Sequence, residues 1–211
     1  MRAFIFRHGE TDHNKNGITQ GREDTPLNEL GLRQAEAIAK AYGGKRFAGI
    51  YVSPLIRAQA TARPLAEACG LPLVIREELV EMDVGELGAL TGPELRARYP
   101  VFLDAWRGAG AADARMPGGE TLREVQARAW GALEGLANEE SEVDVAVFTH
   151  NFVALTLLSY ALGLDLSAFR RVRHDLAALS VIDFSGDGPR LASMNERGHL
   201  AALESRPSWM R

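Results

Sequence analysis

Three short segments of this chain, each able to form a buried strand, are followed by residues that could act on an anion. They are residues 3–6 before Arg7 and His8, residues 50–53 before Arg57, and residues 143–149 before His150. Two guanidinium groups that lie close together need a common anion to offset their repulsion, and their planar donor groups suit a phosphate or a carboxylate. A neutral imidazole between such groups suits nucleophilic attack on phosphorus. Separately, each histidine could be structural and each arginine solvated; together they indicate phosphoryl chemistry.

These side chains can meet only if the fold brings the three segments to one edge. Short apolar segments alternate with amphipathic helical patterns, which predicts an α/β fold: a three-layer sandwich with a mostly parallel sheet and helices on both faces. Ligands of such sheets bind outside the carboxyl ends of the strands, so we expect one shared crevice there. Residues 178–184 and 191–194 flank a turn at 185–188 and predict an antiparallel edge.

Capping residues predict where several helices begin. The predicted starts are Asn28 as an N-cap, Ser53 as an N-cap with Pro54 in the first helical position, and capping boxes at Thr91 with Glu94 and at Thr121 with Glu124. The first helix is expected to bury Leu32, Ala35, Ala39 and Tyr42. The last is expected to bury Leu122, Val125, Ala129, Leu133 and Leu136.

The length of 211 residues favours one domain spanning 1–211, with an insertion. Residues 99–117 are the least regular stretch. We therefore expect a small inserted cap around 92–117, lying over one end of the sheet.

The chemical residues also stand in motifs that resemble those of the histidine phosphatase (phosphoglycerate-mutase-like) superfamily. The first is Arg7-His8-Gly9-Glu10-Thr11, with Asn14 shortly after it. Similar motifs follow in order at 21–31, 53–61, 79–85, 117–121 and 147–150. The resemblance covers most of the chain and implies the same α/β fold.

The resemblance also implies roles for individual residues. His8 is the nucleophile, which forms a phosphohistidine, and Arg7, Arg57 and His150 hold the phosphoryl oxygens. Glu81 protonates the leaving alcohol and then deprotonates the attacking water. Ligand contacts are implied at Asn14, Gln20 and Gly21 and, where many relatives have glycine after the second histidine, at Asn151. Neither a metal ion nor a cofactor is expected.

Other functions fit these residues less well. His8, Glu10, Asp12 and His13 are metal-ligand types, but Arg7 beside them disfavours a divalent ion. A cysteine phosphatase is disfavoured by the spacing of Cys69 and Arg76. A non-catalytic phospholigand-binding protein would be expected to lack a nucleophile, second arginine, acid or second histidine. A cofactor-dependent phosphoglycerate mutase stays open as the alternative, although 92–116 offers few basic residues for clamping an acid substrate.

Composition limits the partners. With 24 Lys and Arg against 28 Asp and Glu, the net charge of −4 disfavours a predominantly basic nucleic-acid binder. The apolar stretches are too short for a membrane span. A single cysteine precludes an intrachain disulfide. We expect a cytoplasmic phosphatase whose partner is a small-molecule phosphate ester, with neither nucleic acid nor membrane; a homodimer would be unsurprising.

Overall fold

A computed structural model describes residues 1–139 and 142–203 of the chain. The strands are β1 (Arg2–Arg7), β2 (Ile50–Val52), β3 (Leu73–Ile75), β4 (Val145–Thr149), β5 (Leu179–Asp183) and β6 (Arg190–Glu196). They form one six-stranded sheet in the order β3-β2-β4-β1-β5-β6. The first four strands of that order are parallel, whereas β5 runs antiparallel to both β1 and β6. The predicted parallel sheet with an antiparallel edge is confirmed.

Helices cover both faces of the sheet, as predicted. They are α1 (Asp12–Asn16), α2 (Glu29–Tyr42), α3 (Ile56–Cys69), α4 (Gly92–Arg98), α5 (Pro100–Arg107), α6 (Leu122–Glu139) and α7 (Asn151–Ala161). Because successive strand residues point to opposite faces, Phe6 and Phe148 join the core beneath α2 and α3. Ile5 and Val147 join the core beneath α6 and α7. The fold is therefore a three-layer sandwich.

The strand register brings the segments that carry His8, Ser53 and His150 to one edge of the sheet. Arg7 of β1 lies opposite Thr149 of β4, and Val52 of β2 lies opposite Phe148. The ladder continues for one step, since the His8 N–H donates to the Thr149 carbonyl at 3.0 Å. His8, Ser53 and His150 therefore leave the sheet side by side.

Both predicted capping boxes are present. The Thr91 N–H donates to Glu94 Oε2 at 2.7 Å before α4, and the Thr121 N–H donates to Glu124 Oε2 at 2.8 Å before α6. The predicted apolar face of α6 is buried at every position: Leu122, Val125, Ala129, Leu133 and Leu136.

Two predictions for the helices on the other face were wrong. Helix α3 begins at Ile56 with Leu55 as its N-cap, because the Ser53 hydroxyl is turned inward and does not cap the helix. In α2 the capping residue is Asn28, as predicted, but Leu32 is 52% exposed. The buried side of α2 instead includes Gly31, where an added Cβ would lie 2.2 Å from the Glu10 carbonyl oxygen. This close backbone approach sets the rotation of the helix.

The stretch 99–117 is more regular than expected, since it contains α5. Only Trp106 of that helix is buried, so the apolar pattern was too sparse to predict it. Trp106 packs against Phe102, Phe152 and Phe169, which ties α5 to α7. That 92–117 forms a cap inserted into one domain spanning 1–211 stays a prediction, and residues 204–211 lie outside the described residues.

Within 1–139 and 142–203, none of the helices is both long enough and apolar enough to cross a membrane.

Candidate active site

A cavity of about 200 Å³ opens at the carboxyl edge of the parallel strands. It is lined by Arg7, His8, Asn14, Ile18, Thr19, Gln20, Arg57, Glu81, Asn151 and Phe152. Of the residues predicted for the site, all but Gly21 and His150 lie in this wall. The structure thus brings together residues from six separate parts of the chain.

A backbone hydrogen bond fixes the tautomer of His8. Its Nδ1 lies 2.7 Å from the Gly9 carbonyl oxygen, which can only accept a hydrogen bond. Nδ1 therefore carries the proton and Nε2 carries the lone pair. Burial, together with Arg7 and Arg57, holds the pKa of His8 well below its ordinary 6.5. The imidazole is neutral at physiological pH.

Arg57 is completely buried in the first turn of α3. Its two terminal nitrogens donate to the carbonyls of Glu23 and Gly21, each at 2.7 Å, and its Nε has no partner within the described part of the chain. Gly21 therefore supports Arg57 from outside the cavity wall. The absence of a side chain also matters there, since a Cβ on Gly21 would lie 2.5 Å from Val84 Cγ2.

The hydroxyl of Thr61 connects Arg57 to the backbone that holds His8. It donates to the Arg57 carbonyl at 2.7 Å and accepts from the Gly9 N–H at 2.9 Å. Gly9 in turn holds His8, so one buried hydroxyl fixes two predicted site residues relative to each other. Sequence reasoning missed Thr61, although its place one helical turn after Arg57 was a usable signal.

Arg7 is anchored at the end of β1. One terminal nitrogen donates to the His174 carbonyl at 2.9 Å, and Nε has no partner among the residues described. Burial lowers the pKa of Arg7 to about 10, against the opposing charge of Glu81. The group stays a cation at neutral pH.

His150 lies directly behind the cavity wall. Its ring centroid is 5.2 Å from that of His8, and the residue is completely buried. Its Nε2 is 2.6 Å from the Ser53 hydroxyl, while Nδ1 has no partner in the described residues. Burial and the charge of Arg57 hold the pKa of His150 well below 6.5. Like His8, it is neutral at physiological pH.

Glu81 is the buried acid of the site. Its Oε1 accepts from the Met82 N–H at 2.9 Å and from the Phe152 N–H at 3.2 Å. Burial raises the pKa of Glu81, whereas the Met82 amide, Arg57 and Arg7 oppose that rise. The carboxyl group can therefore hold a proton under conditions in which an ordinary glutamate is ionised.

The neighbouring acids are engaged elsewhere. Asp83 is 40% exposed and faces Arg22, and Glu86 accepts from the Tyr99 hydroxyl at 3.0 Å. Glu77 and Glu78 are exposed. Glu81 is thus the acid of this run that faces the cavity.

A network behind Glu81 was not predicted. The Glu81 carbonyl accepts from Arg128 Nη2 at 3.2 Å and from Arg22 Nε at 3.3 Å. Glu120 binds both arginines, at 3.1 Å in each case, and also accepts from the Asp83 N–H at 2.9 Å. The motif at 117–121 therefore holds residues 79–85, the acidic segment, in place. Arg128 carried no such signal in the sequence, because it occupies a polar position of a helical pattern.

The remaining predicted residues lie around the mouth of the cavity. The Thr11 hydroxyl contacts Asn14 Oδ1 at 2.9 Å and Gln20 Oε1 at 3.0 Å. The amide nitrogen of Gln20 is buried with no partner in the described chain, and Asn151 lines the wall at the start of α7. Across 1–139 and 142–203, no group of three or more His, Cys, Asp or Glu side chains could hold a metal ion.

Comparison with known proteins places this geometry in a family. The model of the histidine phosphatase superfamily (branch 1) matches residues 3–197. A Yersinia pestis protein named "Probable phosphoglycerate mutase GpmB" is 33% identical over 198 residues, which cover 92% of this chain and 89% of that protein.

Two solved structures are similar in fold. A mycobacterial glucosyl-3-phosphoglycerate phosphatase in complex with VO3 is 30% identical, with a TM-score of 0.84 over 93% of this chain and 99% of that one. The alpha-ribazole phosphatase of Shigella flexneri is 26% identical, with a TM-score of 0.82 over 93% and 96% of the two chains. The family match spans nearly the whole chain, including every segment that forms the cavity, and this chain therefore belongs to the histidine phosphatase superfamily.

Proposed function

We propose that this protein is a phosphomonoester hydrolase that works through a phosphohistidine on His8. The observation that carries the proposal is the state of His8. Its Nδ1 is bound to the Gly9 carbonyl, so Nε2 carries the lone pair, and Arg7 and Arg57 lie in the same cavity wall. Glu81 completes the set as a buried acid in that wall.

In the first step, His8 Nε2 attacks phosphorus and forms the P–N bond while the bond from phosphorus to the leaving oxygen breaks. Glu81 gives its proton to that oxygen, so the product leaves as a neutral alcohol. In the second step, water attacks the phosphoryl group, the P–N bond breaks, and Glu81 takes a proton from the water. Inorganic phosphate then departs, and His8 and Glu81 return to their starting states.

Stabilisation of the phosphoryl group comes from positioned donors, the main protein contribution to phosphoryl transfer. We assign three donors to its oxygens: Nε of Arg7, Nε of Arg57 and Nδ1 of His150, none of which has a partner among the described residues. Asn14, Gln20 and Asn151 are assigned to ligand contacts near the mouth. Gly21 acts indirectly, through its carbonyl on Arg57.

The alternative, a phosphoglycerate mutase, is disfavoured by the composition of the wall. A mutase must keep its phosphohistidine from water while the substrate turns round, and extra cations that clamp the acid serve that end. Residues 92–117 supply none of the side chains lining the described cavity. We therefore infer that water reaches the phosphohistidine and that hydrolysis dominates.

The substrate class that fits is a small phosphorylated metabolite, consistent with the names of the two phosphatases of similar structure. We place the reaction in the cytoplasm. A panel of phosphate esters, read out as released phosphate, would identify the preferred substrate. Vanadate is expected to inhibit, whereas EDTA is expected to have no effect.

One assay separates the two branches of the family. With 3-phosphoglycerate, in the presence and absence of 2,3-bisphosphoglycerate, the proposal predicts either no reaction or release of phosphate. Rapid appearance of 2-phosphoglycerate that the bisphosphate stimulates, with little phosphate released, would show that the protein is a mutase. An absence of turnover on every ester, including p-nitrophenyl phosphate, would favour a binding protein.

A further inference from the structure

The hydrogen bond between Ser53 and His150 decides which nitrogen of His150 carries a proton. Ser53 follows β2 and His150 follows β4, and both residues are completely buried. The Ser53 hydroxyl oxygen lies 2.6 Å from His150 Nε2. Since water does not reach this pair, the donor and the acceptor have to be assigned from the neighbouring groups.

Only one assignment gives the Ser53 hydroxyl proton an acceptor. Apart from His150, the Ser53 hydroxyl makes a single hydrogen bond within the described residues, and there it accepts from the Leu55 N–H at 3.3 Å. If His150 Nε2 donated to Ser53, the hydroxyl proton would be buried without an acceptor, an unfavourable arrangement. If Ser53 donates to Nε2 instead, its proton is bound and its lone pairs still accept from Leu55. The second arrangement leaves the imidazole proton on Nδ1.

We propose that Ser53 is a positioning residue that fixes His150 as the Nδ1–H tautomer, so that this nitrogen donates to the phosphoryl group bound at His8. Nδ1 is buried and has no partner in the described chain, and the two imidazole rings lie 5.2 Å apart. A phosphoryl oxygen at His8 would supply the missing acceptor. The inference rests on the proposed function for that acceptor, but the assignment of the tautomer rests on Ser53 alone.

The tautomer matters because His150 is neutral and can donate from only one of its nitrogens. Burial and the charges of Arg57 and Arg7 hold its pKa well below 6.5, so an imidazolium with two donors is disfavoured. A neutral imidazole with its proton on Nε2 would turn a lone pair toward the phosphoryl oxygens, which repels them. Ser53 prevents this without contacting the substrate.

The direct test is long-range ¹H–¹⁵N correlation spectroscopy on the parent protein labelled with [¹⁵N]histidine. The signals of His150 are identified among the five histidines by their loss in His150→Asn. The proposal expects the Nδ1–H pattern for His150. An Nε2–H pattern or an imidazolium pattern at neutral pH would overturn it, and this measurement requires no Ser53 variant to fold.

Ser53→Ala tests whether the hydroxyl is the cause. We expect a mixture of tautomers and a loss in kcat of about 10- to 100-fold, as when a partner that orients a functional histidine is removed. Ser159→Ala is the matched control, because the Ser159 hydroxyl is equally buried and has no partner in the described chain. In this variant the tautomer of His150 and the kcat should equal those of the parent. A Ser53→Ala protein with the parental tautomer and kcat would contradict the proposal. If the parent lacks phosphatase activity but shows Nδ1–H, the proposed function fails while the tautomer assignment stands.

Discussion

The carboxyl group of Glu81 accepts a hydrogen bond from the backbone N–H of Phe152, two residues after His150. Phe152 lies in the first turn of α7, where the helix dipole also favours a negative charge. Burial raises the pKa of Glu81, and this contact works against the rise. The N-terminus of α7 thus positions His150 and limits the rise in the pKa of Glu81.

Glu81→Gln is expected to slow alkyl phosphates more than p-nitrophenyl phosphate. A nitrophenolate leaves without protonation, whereas an alkoxide needs a proton from the acid. Single-turnover rates of phosphoenzyme formation for the two ester classes give the comparison. Asp83→Asn, which changes a partly exposed acid nearby, should affect both classes alike. Equal losses for the two classes in Glu81→Gln would remove Glu81 from the role of general acid.

The pH profile should be asymmetric. The pKa of His8 is lowered, so its imidazole stays neutral as the pH falls through 6.5, and we expect activity to be retained on the acid side. Burial raises the pKa of Glu81, so its proton, and with it the rate on alkyl esters, is lost as the pH rises through this raised pKa. Taking the ratio of the rates on alkyl and p-nitrophenyl phosphates cancels any ionisation of the enzyme that affects both reactions equally. We expect this ratio to fall with increasing pH in the parent and to stay flat in Glu81→Gln.

Arg128→Met tests the clamp behind the acidic segment. Arg128 donates to the carbonyls of Glu78 and Glu81, so its loss should let Glu81 shift. Displacement of a catalytic group by about 1 Å can cost on the order of 10²-fold, and we expect a loss of 10- to 100-fold that is larger for alkyl esters. Arg123→Met, on the same helix, removes only a surface pair with Asp113 and should be near neutral. Similar activities in the two variants would show that the clamp has no catalytic consequence.

Thr61→Val should reduce both stability and activity. The substitution keeps the shape of the side chain but leaves the buried Gly9 N–H without its acceptor. A buried group without a partner costs about 1–3 kcal/mol, which should appear in the free energy of unfolding from urea titration. Because Gly9 holds His8, kcat should fall as well. Unchanged stability would mean that Gly9 finds another acceptor.

The sequence predicted most of the elements that position the site. Apolar strands, two capping boxes and the motif around His8 are local signals, and the register of β1, β2 and β4 then brings their ends together. What sequence reasoning missed is set by contacts between distant segments. Serine is a typical N-cap residue, yet the Ser53 hydroxyl bonds to His150, which is 97 positions away in the sequence. Arg128 looks like a solvated helix residue until α6 packs beside the acidic segment.

The central claim is that phosphate passes through His8, and trapping the intermediate tests it most directly. After rapid mixing with a ³²P-labelled ester and quenching, the parent should carry label that is stable to base and labile to acid, as phosphohistidine is. His8→Ala should carry none, with kcat lower by at least ~10³-fold, since loss of a covalent pathway is seldom rescued by binding alone. His13→Ala, a histidine outside the described cavity wall, should label like the parent. Label in His8→Ala, or substantial turnover by that variant, would contradict the account.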